Sequence, residues 1–153
     1  MTDSDEPAIR PATEEDLPAI VAMLADDPLG ATRESPGDLA PYIEAFKRLA
    51  DDPHQHVVVA VREGRVVGTL QLTIIPGLSR KGATRAIIEG VRVHADERGS
   101  GLGTQFIRWA VERARRENCQ LVQLTSDVTR TDAHRFYERL GFTASHVGFK
   151  LSL

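Results

Sequence analysis

Residues Arg85 to Asn118 read R-A-I-I-E-G-V-R-V-H-A-D-E-R-G-S-G-L-G-T-Q-F-I-R-W-A-V-E-R-A-R-R-E-N, and three segments run back to back in them. Ala86 to His94 is β-branched and apolar enough to be a buried strand. Arg98 to Gly103 is a glycine-rich turn, and Leu102 to Asn118 carries a helical pattern without proline. A strand feeding a glycine turn that opens a helix presents free backbone N–H groups at the positive end of the helix dipole, a ready site for phosphate. A side chain at Gly99, Gly101 or Gly103 would hold a pyrophosphate away or resist a positive φ. Arg98 can add a cation beside the anion. An ordinary strand-to-helix turn with extra glycine accounts for the same residues. No Gly-Lys-Ser/Thr follows, so this is not a Walker loop. The order R-G-S-G-L-G is not G-x-G-x-x-G, which argues against a dinucleotide site.

Around this stretch the chain is that of one ordinary globular domain. It has 153 residues, 41% apolar and 27% charged, with a net charge of −3. That balance calls for neither nucleic acid nor an anionic membrane as partner. The single cysteine, Cys119, excludes an internal disulfide and supplies no metal framework. It is expected to be buried and inert. No apolar run approaches the ~20 residues that span a bilayer. The acidic start M-T-D-S-D-E-P is unlike a signal peptide, and a cytoplasmic address is the simple reading.

In chain order, Met1 to Pro7 reads as a mobile tail and Ala8 to Arg10 as a short strand. Thr13 caps a helix whose stripe is Leu17, Ile20, Val21 and Leu24. After a loop from Leu29 to Gly37, Asp38 to Ala50 forms a second helix with Leu39, Ile43, Phe46 and Leu49 inward. Tyr42 and Phe46 read either as helix-face packing or as substrate contacts. His54 and His56 could ligate a metal from one strand face, but no carboxylate or cysteine partner is near in sequence, which favours surface residues. Val57 to Arg62, the turn Glu63-Gly64 and Arg65 to Ile75 make a hairpin with period-2 alternation.

Pro76 to Thr84 is a loop with two cations, Arg80 and Lys81. In the fourth strand Ile87, Glu89, Val91 and Val93 share one parity, which sets a carboxylate in an apolar row. Burying it unpaired would be costly. It is either satisfied at a strand edge by Arg92 or Arg85, or is a partly buried base with a raised pKa. Leu121 to Thr125 is a fifth strand and Thr131 or Asp132 to Leu140 a last helix, stopped by Gly141. Phe142 to Leu153 would supply two closing strands.

Two motifs carry a resemblance. Arg98-Gly99-Ser100-Gly101-Leu102-Gly103 resembles the R/Q-x-x-G-x-G/A acyl-CoA pyrophosphate loop of the GNAT superfamily of N-acetyltransferases. Ala133-His134-Arg135-Phe136-Tyr137-Glu138-Arg139-Leu140-Gly141-Phe142 resembles the family's A-x-x-F-Y-E-x-x-G-F. The resemblance is sharp over Arg85 to Phe142 and loose before it. It implies an α+β fold in a single domain, 1–153: a mixed, mostly antiparallel sheet of six to seven strands with about four helices around it.

It also implies direct attack of a primary amine on acetyl-CoA. Glu89 would take the amine proton and Tyr137 would protonate the departing thiolate, a packing role beside Phe136 being the alternative for Tyr137. The cofactor would lie along Val91, Arg92 and Val93, with its pyrophosphate on Arg98, Gly99, Ser100, Gly101, Leu102, Gly103 and Thr104. Arg130 stands where the family often has an Asn that contacts the cofactor, so that contact is in doubt and Arg130 could meet a phosphate instead. No metal is implied. A small-molecule amine is the expected acceptor, with a protein lysine or N-terminus as the alternative and a non-catalytic CoA-binding module as a second. Homodimers are common in the family, and the late strands would be the contacts.

Overall fold

The computed structural model describes residues 6–153; residues 1–5, which hold most of the expected mobile tail, lie outside them. The chain divides into two units, residues 1–123 and Leu124–Leu153.

The first unit is built on strands β1 (Ala8–Pro11), β2 (Gln55–Arg62), β3 (Arg65–Ile75) and β4 (Arg85–Val93), each antiparallel to the next. β5 (Leu121–Leu124) follows β4 in a sheet ordered β1-β2-β3-β4-β5. The helices of this unit are α1 (Leu17–Ala25), the short α2 (Gly30–Arg33), α3 (Ala40–Ala50), the single turn α4 (Ser79–Gly82) and α5 (Leu102–Arg116). The second unit contains α6 (Thr131–Arg139).

Strand alternation sorts the core into two layers. On one face Val59 packs with Leu17 and Ile20 of α1, and Ile43 and Phe46 of α3 pack against this cluster, as do Val57 and Val61. On the other face lie Gly68, Leu70 and Leu72, the last two with no exposed surface. α5 covers that side through Phe106, which is also fully buried. A Cβ on Gly68 would stand 2.3 Å from the Phe106 ring, so glycine here is what lets the helix approach the sheet.

Two expectations are corrected. Among the described residues the sheet has five strands, not six to seven, and residues 143–153 form none. Val147, Phe149, Leu151 and Leu153 alternate as strand residues do, which invited the assignment. Each is more than three-quarters exposed, and an apolar alternation specifies a strand only when one face is covered. The long helices correspond to the four expected. The loops 29–37 and 76–84 contain the additional short turns α2 and α4.

The entry to α1 is held by charge. The carboxylate of Asp16 accepts from both terminal nitrogens of Arg10, at 2.7 and 3.0 Å, and from the Thr13 amide at 2.7 Å. Asp16 is 7% exposed. The Arg10 hydrogen bonds outweigh burial and hold its carboxyl below the ordinary carboxylate range. A depressed folded-state value contributes stability that is full above the unfolded value of ~3.9 and is lost as pH falls through the folded value. Asp16→Asn is therefore expected to cost about 1–3 kcal/mol at neutral pH, measured by urea unfolding. The gap from wild type should narrow as pH drops below about 4. A gap that stays constant with pH would show that shape, not charge, holds this corner.

Candidate active site

β4 is not a regular strand. Thr69 pairs with Arg92 and Gln71 with Glu89, so Gly90 and Val91 together oppose Leu70. This is a β-bulge, and Gly90 sits in it at φ 62°, a conformation that favours glycine. The extra residue reverses the parity of everything after it. Val93, which plain alternation puts beside Glu89, pairs with Gly68 on the α5 side, while Arg92 takes the Glu89 side. A bulge also leaves backbone groups out of the ladder, here around Val91.

Glu89 is exposed, not partly buried in an apolar row. Its face of the sheet turns polar at this end. Gln55 accepts hydrogen bonds from Gln71 at 3.0 Å and from Thr73 at 2.8 Å, and Gln71 is the cross-strand partner of Glu89. Arg92 does not neutralise Glu89; it pairs with Asp27 at 3.1 Å. Arg85, the other cation considered for it, shares the Glu89 face but makes no ion pair with it among the described residues.

The chain next turns through His94, whose Nδ1 accepts from the Asp96 amide at 3.1 Å. Glu97 anchors this corner to β2 through Arg62 at 3.0 Å. The glycine turn then enters α5. Gly101 precedes the helix at φ 87°, and a Cβ on Gly99 or Gly101 would project into open space. The first-turn amides of Leu102, Gly103 and Thr104 have no carbonyl of their own helix to bond. Open space, unpaired donors and the helix dipole together suit a pyrophosphate, so these residues fit the group that the motif implied. Arg98 lies at the mouth of the turn, 3.8 Å from Asp26. Both side chains are more than half exposed, and such a pair is weak.

Tyr137 and Arg130 belong to the second unit. Arg130 is exposed at the start of α6. Tyr137 is half-buried, edge-to-face with Phe136 at 5.2 Å and Phe142 at 5.9 Å, and Gly141 ends the helix with φ 98°.

Other candidates have structural partners. Tyr42 donates to Glu34 at 3.0 Å and accepts from the Ser35 amide at 2.8 Å, tying the loop before α3 to that helix. Phe46 packs against the α1 cluster. His54 is exposed, while His56 lies 3.3 Å from Glu117, and burial lowers its pKa. Cys119 is half-buried, and burial pushes its thiol up, which disfavours the reactive thiolate. A hollow of about 430 Å³ between β1, β2, α3 and α5 is lined in part by Phe46 and His56, and by none of the residues expected to bind the cofactor or carry out the transfer.

Sequence reading missed the bulge, although an isolated glycine inside a strand pattern is its usual signal. It also missed Asp26 and Asp27, whose partners stand more than sixty residues away.

The sequence model of the acetyltransferase (GNAT) family matches residues 17–142. The aminoalkylphosphonate N-acetyltransferase of Salmonella typhimurium is 32% identical over 145 residues, 95% of this chain and 90% of that protein. The glucosamine 6-phosphate N-acetyltransferase of Trypanosoma brucei brucei is 38% identical over 90 residues, 59% of each chain. Among solved structures, one described as a transcriptional regulator from Bacillus halodurans C-125 superposes with a TM-score of 0.93 at 48% identity, covering 96% of this chain and 99% of that one.

The geometry of the turn yields a direct test. Gly101→Glu puts a side chain and a negative charge where the pyrophosphate would lie. It is expected to bring acetyl-CoA binding below detection in calorimetric titration, with an unchanged circular dichroism spectrum. Unaltered affinity would remove the turn from the cofactor site.

Proposed function

This chain belongs to the acetyltransferase (GNAT) family and is an acyltransferase, and on that premise we propose that it moves an acetyl group from acetyl-CoA to the primary amine of a small anionic molecule. The observation that carries the reading is the junction Arg98–Thr104, an open glycine turn on the N-terminus of a fifteen-residue helix. The acceptor class is supported by two relatives, whose names join an amine to a phosphonate or a phosphate. The reading takes residues 1–153 as one catalytic domain at work in the cytoplasm.

Acetyl-CoA supplies the activated acyl group as a thioester. Glu89 accepts the proton of the attacking ammonium, directly or through a water, so that a neutral amine reaches the carbonyl carbon. Its exposure suits this role, because the acceptor must arrive from solvent. A backbone N–H freed by the bulge near Val91 donates to the carbonyl oxygen as negative charge gathers there. Val91, Arg92 and Val93 line the cofactor arm. The amides of Leu102, Gly103 and Thr104, with Arg98, hold the pyrophosphate, and Arg130 adds a cation. Tyr137 gives its proton to the departing sulfur. Between the free groups this step is uphill, since a phenol at ~10 is a weaker acid than a thiol at ~8.5; the phenolate then regains a proton from solvent.

Calorimetric titration with acetyl-CoA, followed by a screen of amines for released thiol, tests the whole reading. Saturable binding with amine-dependent thiol release is expected. A folded protein that does neither refutes it. For the individual roles, Glu89→Gln and Tyr137→Phe are each expected to lower turnover by about 10²–10⁴, the range of general acid–base assistance, with acetyl-CoA affinity held. Unchanged turnover in either variant would make that residue structural.

A further inference from the structure

The turn between β3 and β4 combines strain, charge and a small hollow. Arg80 and Lys81 hold φ of 54° and 62°, and Gly82 follows at 75°, three left-handed residues in succession. A left-handed L-residue costs about 1–2 kcal/mol, and strain of this kind clusters at ligand sites. Among the described residues neither the Arg80 nor the Lys81 side chain has a hydrogen-bond or ion-pair partner to offset it, and Arg85 has none either.

Charge is segregated in the same place. No Asp or Glu occurs between Glu63 and Glu89, whereas Arg80, Lys81 and Arg85 all do, in a chain whose net charge is −3. The turn borders a hollow of about 50 Å³ lined by Ser79, Arg80 and Arg85 over Ile75 and Leu121. That is room for a few ordered waters or a tetrahedral head group. Arg85 and Glu89 lie on one face of β4, four residues apart, or about 13 Å along the strand.

We propose that Arg80 and Arg85, in the field of Lys81, form a subsite for a doubly charged tetrahedral oxyanion, so that the acceptor is an amine ending in a phosphonate or phosphate. The proposal rests on acetyl transfer with Glu89 as base. The guanidinium forks match pairs of phosphoryl oxygens, and the ammonium acts as a point charge. The hollow takes the head group and the amine points along the strand face toward Glu89.

Two readouts separate this subsite from the transfer reaction. Calorimetric titration with methylphosphonate, which has no amine, reads the subsite alone. Wild type is expected to bind it, and Arg80→Ala and Arg85→Ala to lose at least about tenfold in affinity, the effect of one charge-assisted pair. Steady-state transfer to 2-aminoethylphosphonate, β-alanine and propylamine reads the acceptor. The expected order of kcat/KM is phosphonate, then carboxylate, then neutral amine. In both variants the phosphonate-to-propylamine ratio should fall by about tenfold or more, with Arg80→Lys keeping part of it. No methylphosphonate binding by wild type, or equal affinity in both variants, overturns the subsite even where transfer proceeds. Binding without transfer to any amine keeps the anion site and overturns the acetyl-transfer reading on which the acceptor assignment rests.

Discussion

One inserted residue in β4 decides how the candidate site is laid out. Without the bulge, Glu89, Val91 and Val93 would share a face, and the carboxylate would sit among side chains directed at one layer of the core. With Gly90 at a positive φ, the strand turns over between Glu89 and Arg92. Residues before the bulge then present Glu89 and Arg85 on one face, while Val93 packs toward α5. The same device takes groups near Val91 out of the ladder, and the Val91 carbonyl accepts instead from Arg92 Nη1 at 2.9 Å. A carboxylate and backbone donors thus come from neighbouring positions of one strand, held by its pairing with β3. A site on a strand is positioned more firmly than one on a loop.

The second constraint is ionic. Asp26 and Asp27 follow α1, and their partners, Arg98 and Arg92, flank the descent from β4 into the glycine turn. The two pairs differ. Asp27–Arg92 is close and more than three-quarters shielded from solvent, whereas Asp26–Arg98 is long and exposed on both sides. The first is placed to hold the end of α1 against the sheet. The second is weak enough that, on the proposed reading, a pyrophosphate can take over the Arg98 guanidinium at little expense.

Most of the fold was legible because its signals were local. The alternation in Arg65 to Ile75, the apolar stripe of α5 and the turn Glu63-Gly64 each specify structure through near neighbours, and each appears where expected. The glycine turn was legible for the same reason. Glu89 was singled out by residue type and position, but its surroundings were misread, since its parity relative to Val93 depends on a register shift against β3. The closing strands failed in the opposite direction. Val147, Phe149, Leu151 and Leu153 have the right spacing, but a strand also needs a partner and a covered face, and these side chains face solvent. The strain at Arg80 and Lys81 had no sequence signal at all, because glycine, not arginine or lysine, marks a left-handed turn.

Net charge is a poor guide to partners in a protein of this kind. The value of −3 calls for no polyanionic partner, yet the proposed ligands are both anions. The resolution lies in where the charges fall. Acidic residues are absent from the interval between Glu63 and Glu89, and they return at Asp96 and Glu97, where Glu97 is held by Arg62. Fields over distances beyond about 10 Å are screened at moderate salt, so a small anion responds to the cations beside it and not to the sum over the chain. Arg80, Lys81 and Arg85 on one side, and Arg98 with the helix N-terminus on the other, would each hold an anion, leaving the carboxylate of Glu89 between them as the negative group toward which an ammonium is drawn.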